Sequence, residues 1–176
     1  MGEMRAMEHE ELISEIINNI RRLFQAVNEH SKKAEHETGI TGPQLWAIKV
    51  IGDASSIRTI DLAKRMYLHP ATVVGILDRL ESQGLVNRVR STDDRRVVNV
   101  KLTKQGHALL KKAPEVAQGL LVKGLEALPE KKLNRIYDAL DEVVHILGAQ
   151  EIPPQLMHSN EVNVSKKKGR VKNVNS

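Results

Sequence analysis

The residues of this chain best suited to chemistry are a charged run, Asp93-Asp94-Arg95-Arg96, and the stretch from His69 to Arg79 that precedes it. Arginines at a tight turn suit charge-assisted contact with phosphate, or entry into a narrow DNA minor groove where the potential is most negative. A His-Pro pair opening a helix leaves the N-terminus of that helix free for an anion, which the helix dipole attracts. Nothing comparable serves catalysis. There is no glycine loop to cradle a nucleotide, no zincin helix and no Gly-x-Ser-x-Gly elbow. The chain has no Cys, which removes thiolate nucleophiles, disulfides, Cys-based zinc sites and thiol redox sensing together. Its seven His are scattered without tight ligand spacing, so no metal is expected. No catalytic residue and no cofactor is assigned, and the enzyme reading is set aside.

Charge agrees with a polyanionic partner once its position is considered. The net charge is +5, yet residues 162–176 alone carry five basic side chains and no acid. Within the rest, residues 58–104 hold 10 basic against 5 acidic side chains, whereas the two flanks together hold 12 against 17. A cationic middle between anionic ends suits a protein that sets its centre on phosphate. No apolar run approaches the ~20 residues that span a bilayer, and the acidic N-terminus lacks the apolar core of a signal peptide. A cytoplasmic location and no membrane partner are expected.

Six helices must position these groups. Ile13, Ile16, Ile17, Ile20, Leu23, Phe24 and Val27 recur at helical spacing over about 8–35, and Gly39 ends that helix. Thr41-Gly-Pro-Gln44 is a capping box that opens a second helix. Thr59 is placed to cap a short third one, and Pro70 begins a fourth that Gly84 terminates. The period then changes to 2 in Val86–Arg90 and Val97–Leu102, which read as a hairpin with residues 91–96 at its tip. Thr103 caps a fifth helix expected to kink at Pro114, and Pro129 starts a sixth.

Two short helices joined by a tight turn and followed by a hairpin make a winged helix-turn-helix, here inside a mainly helical frame. In the fourth helix, 100° per residue gathers Val73, Ile76, Leu77 and Leu80 on a core face. Ala71 and Gly75 lie opposite, flanked by Val74, Asp78 and Arg79. A small apolar outward face lets a helix backbone approach the major groove and touch thymine methyls. His69, Pro70, Ala71, Thr72, Val74, Gly75 and Arg79 are the candidate recognition residues, with His69 and Thr72 as donors near phosphate. Asp78 would repel phosphate and is expected to pair with Arg79 or Arg88. Arg58 and Thr59 are assigned to the DNA backbone. The bland alternatives are a merely tolerant surface for the helix face and a solvated turn for the arginines.

Residues 68–106 resemble the central block of the MarR family of bacterial and archaeal regulators, including its wing pattern D-x-R-x5-L-T as Asp94, Arg96, Leu102 and Thr103. The resemblance implies that Arg96, oriented by Asp94 and beside Arg95, enters the minor groove while the fourth helix reads the major groove. It also implies a homodimer interlocked through the first, fifth and sixth helices. The domains expected are a dimerisation helix (1–37), a winged helix-turn-helix (38–104), C-terminal dimerisation helices (105–148) and a basic tail (149–176). Leu, Ile and Val on the outer helices, more than the small central module can cover, support the dimer independently. Members of the family commonly respond to small aromatic or lipophilic effectors, for which Arg22, His36, Trp46 and His107 are the positional candidates; a lone Trp is as readily explained as core. The function so implied is a dimeric, sequence-specific regulator of transcription on a pseudo-palindromic operator, acting as a repressor. The alternative is an architectural winged-helix protein that binds duplex DNA without sequence preference.

Overall fold

The computed structural model describes residues 8–90 and 97–157. Helix α1 (His9–Thr38) stops at Gly39, whose φ of 72° is the left-handed C-cap that glycine adopts without a Cβ clash. Helix α2 (Gly42–Ala54) opens on the expected capping box, in which the Gln44 side-chain oxygen accepts the Thr41 N–H at 2.9 Å. A short strand β1 (Ile57–Arg58) leads into α3 (Thr59–Met66), so Arg58 rather than Thr59 occupies the cap position. Tyr67, left-handed at φ 53°, turns the chain into α4 (Pro70–Ser82). Strands β2 (Val86–Arg90) and β3 (Val98–Leu102) pair antiparallel, with Val86 opposite Leu102 and Arg90 opposite Val98. β1 joins the far edge of β3, giving the order β1-β3-β2.

The fifth helix of the sequence reading is two helices, α5 (Lys104–Leu110) and α6 (Ala117–Glu126), before α7 (Glu130–Ile146). Pro114 does more than bend the chain. Its ring disfavours helical geometry at Ala113 and it has no N–H to give, so residues 111–116 leave the helix and Val116 becomes an extended N-cap, 2 % exposed. Thr103 caps α5 as expected, its hydroxyl accepting the Gly106 N–H at 3.1 Å while donating to the Gly84 carbonyl at 2.7 Å.

The apolar core belongs to the middle of the chain. It gathers Leu45, Ile48 and Ile51 of α2, Leu62 and Met66 of α3, Val73, Leu77 and Leu80 of α4, and Val86 and Val100 of the sheet. Each such burial stabilises by about 1.5–3 kcal/mol, so folding free energy is concentrated in this module. α1 buries only Ser31 and Ala34, and α7 buries none of its residues. Their apolar stripes stay open instead, with Phe24 at 71 % and Ile146 at 74 % exposure. Beyond α7, Leu156 lies half-buried against the core, while the basic cluster from Lys166 to Lys172 is outside the described residues. Among the described residues no helix is long and apolar enough to cross a membrane.

Candidate nucleic-acid interface

α4 is held by one face and bare on the other. Val73, Ile76, Leu77 and Leu80 are buried, and Ala71, Val74, Gly75, Asp78 and Arg79 are exposed. Val74 is 43 % exposed, and a Cβ built on Gly75 would meet nothing within 4 Å. The small apolar strip read from the sequence is therefore a real surface feature, open to whatever approaches the helix. Thr72 is half-buried beside it.

The expected free N-terminus of α4 is revised. The Nδ1 of His69 accepts the Ala71 N–H at 3.3 Å, and its carbonyl accepts Thr72 N–H at 3.0 Å and Val73 N–H at 3.3 Å. Pro70 has no N–H, so the first turn keeps no bare backbone donor for an anion. What remains is the imidazole itself: a ring that accepts at Nδ1 carries its proton on Nε2 and can donate outward.

Asp78 pairs with Arg88, Oδ1 to Nη2 at 2.7 Å, and not with Arg79. Arg79 instead borders a cavity shared with Glu35, Thr41, Gln44 and Gln83 near the start of α2. Arg58, assigned to the DNA backbone, bonds Asp61 at 2.5 Å, and that hydrogen bond holds the Asp61 carboxyl below the usual carboxylate range. Both line a polar cavity of about 600 Å³ with Ser56, Lys64, Arg65 and Asn99. Lys64 and Arg65 join the site beyond the residues expected from the sequence; their signal is that they lie between the buried pair Leu62-Ala63 and the buried Met66, on the outward side of α3. Thr59 is half-buried at the start of α3. Asp94, Arg95 and Arg96 lie outside the described residues, although the strands that carry them are in register up to Arg90 and Val98.

The four effector candidates sit on three different helices. Arg22 is on the open side of α1, bonded to Asn19 at 2.9 Å and paired with Glu15 at 3.4 Å. His36 and His107 are exposed on α1 and α5. Trp46 is 4 % exposed and belongs to the core, its six-membered ring so close to α6 that a Cβ on Gly119 would come within 2.6 Å of it. None of the four lines the apolar cleft of about 300 Å³ between α1 and α6, which is formed by Leu23, Ala26, Val27, His30, Leu120, Leu121 and Leu125 among others. α6 also touches the turn before α4. The Tyr67 hydroxyl donates to Glu126 at 2.9 Å, which raises the Tyr67 pKa, and Gln118 Nε2 donates to the Met66 carbonyl at 3.4 Å.

A three-stranded wing, a helix-turn-helix with an open small-residue face and cations at its edges together define a DNA-binding module of the winged-helix class. Comparison with known proteins agrees. The MarR family model matches residues 40–98. The organic hydroperoxide resistance transcriptional regulator of Bacillus subtilis is 31% identical over 108 residues, covering 61% of this chain and 72% of the relative. The HTH-type transcriptional repressor MdtR of the same species is 27% identical over 124 residues, 70% of this chain and 80% of the relative. The crystal structure of a MepR-like protein complexed with pseudoligands superposes with a TM-score of 0.51 at 29% identity, covering 82% of this chain and all of that one. The chain belongs to the MarR family. It is a DNA-binding transcription regulator and not an enzyme, as are the relatives it matches.

Proposed function

We propose that the protein acts as a homodimeric repressor on a pseudo-palindromic operator, with α4 reading the major groove through Ala71, Thr72, Val74 and Gly75. The observation that carries this reading is the exposed face of α4, where Ala71, Val74 and Gly75 are exposed and, among the described residues, nothing stands within 4 Å of a Cβ built on Gly75. His69 donates to a phosphate, and Arg58 with Lys64 and Arg65 tracks the backbone. Asp94 orients Arg96 into the minor groove beside Arg95. The open apolar stripes of α1, α6 and α7 are the surface a second chain covers, and a two-fold axis then spaces two α4 helices about one DNA turn apart. The cleft between α1 and α6 supports release by a small lipophilic or aromatic effector, since it is apolar and joined through Tyr67 to the turn that carries α4. The similar MepR-like protein, solved in complex with pseudoligands, favours a small-molecule effector.

Selection of bound duplexes from a random pool, followed by sizing of the complex, tests the proposal. The expected result is an inverted repeat bound by two chains. Uniform enrichment, with binding that falls steeply with salt for every sequence, would instead establish an architectural protein.

A further inference from the structure

Asp78 poses a problem for a DNA-reading surface. At 100° per residue it lies within about 30° of the direction opposite the core face, between Val74 and Ala71 in azimuth, where a carboxylate would meet phosphates and base acceptors. Its side chain is 59% exposed. The residue that answers it comes from β2. The Arg88 Nη2 bonds Asp78 at 2.7 Å and also donates to the Val74 carbonyl at 3.1 Å, while Nη1 stands 3.6 Å from the Glu81 carboxylate. The backbone N–H of Arg88 donates to the other Glu81 oxygen at 3.2 Å. Positions 74, 78 and 81 form one stripe along two turns of α4, so a single guanidinium lies across that stripe and its own strand is fastened to it. The Arg88 side chain is only 25% exposed.

Resting on the DNA-reading role proposed above, we infer that Arg88 is a positioning residue that sets the angle between wing and reading helix, and that Asp78 is its anchor and makes no contact with the duplex. Both N–H groups of Arg88 Nη2 are taken by protein acceptors and Nη1 faces the Glu81 carboxylate, so the guanidinium is held against α4 by its Nη edge. Two residues beyond it, Arg90 ends β2, and the run that contains Arg96 follows in the sequence, so a tilt at Arg88 changes where that run begins. Lys cannot substitute, because one ammonium cannot reach a carbonyl and two carboxylates in the geometry of a planar fork.

The test measures affinity of the full chain for the selected operator and for random duplex, at two salt concentrations, with thermal melts as the check on folding. Asp78→Asn is isosteric and should melt like wild type. It should weaken operator binding on the order of tenfold and leave random-duplex binding equal or tighter, because an acid is gone but so is the latch. Arg88→Lys should lose a similar factor, and Arg88→Ala should add less than about twofold in an Arg96→Ala background, since both act through the wing. Tighter binding of Asp78→Asn to both duplexes would show a mere bystander carboxylate and overturn the inference. So would an Arg88→Ala effect that adds fully to Arg96→Ala and lowers the salt slope by about one, the mark of a phosphate contact. A wild-type protein without operator preference refutes the DNA-reading role and the inference with it; a discriminating wild type with equally discriminating variants sinks the latch alone.

Discussion

Gly75 offers a substitution that should move stability and affinity in opposite directions. It is inside α4, it is not in the left-handed region, and among the described residues a methyl added there meets nothing within 4 Å beyond the helix's own backbone. Gly75→Ala should therefore stabilise the free protein by about 1 kcal/mol, because alanine loses less backbone freedom in a helix than glycine. For a chain of this size that is a rise of roughly 3 °C in Tm. The same methyl stands out about 1.5 Å from the backbone on the face held to lie against base edges. Two surfaces already in van der Waals contact would have to part, at a cost of about 1–3 kcal/mol by analogy with overpacked cores, or roughly 5- to 150-fold in operator affinity. Circular-dichroism melts and a fluorescence-anisotropy titration at one fixed salt concentration read both quantities. A variant that melts higher and still binds the operator at full strength would refute the close approach of α4 to the groove.

Val74→Glu should reduce operator binding on the order of a hundredfold with an unchanged melt, through repulsion and lost apolar contact; normal affinity in a gel-shift titration would remove this face from the interface. Arg96→Ala should weaken operator binding by about 1–3 kcal/mol and relax preference at the positions beside the wing, read by repeating the duplex selection. Gly106→Ala is the stability counterpart: its Cβ would fall 2.1 Å from the Leu85 carbonyl oxygen, which already accepts the Thr103 N–H at 3.1 Å. A net loss of about 2 kcal/mol is expected once overpacking is set against the helix-propensity gain, and an unchanged denaturation midpoint would contradict it. Removal of residues 158–176 should leave the oligomeric state unchanged in sedimentation, since the apolar stripes of α1 and α7 lie outside that segment.

What could be read from the sequence was what is decided locally. Gly39 and Gly84 as helix terminators, the Thr41–Gln44 box and the Thr103 cap each depend on residues within a few positions, and the structure has them all. The core face of α4 followed from helical period alone. Features set by distant partners were not legible. The two-residue strand β1 is too short to show a period and exists because β3 offers an edge at Val100 and Asn99. The His69 ring caps α4 through a side-chain conformation that no spacing rule specifies. Of the two arginines considered for Asp78, only the fold could choose, since Arg79 and Arg88 differ in which side of α4 they occupy. Trp46 lies in the core because Gly119, 73 positions away, leaves room for the indole.

The indole has one further consequence. It is the chain's single tryptophan, carried on α2 and packed against α6, and among the described residues its Nε1 has no hydrogen-bond partner. Emission from that ring depends on how dry and how tightly shut its surroundings are. The molecule thus carries a native optical gauge at the joint linking its cleft to its reading head, free of competing tryptophan signal. Any ligand that pries α6 from α2 would let solvent reach the ring and shift its fluorescence to the red.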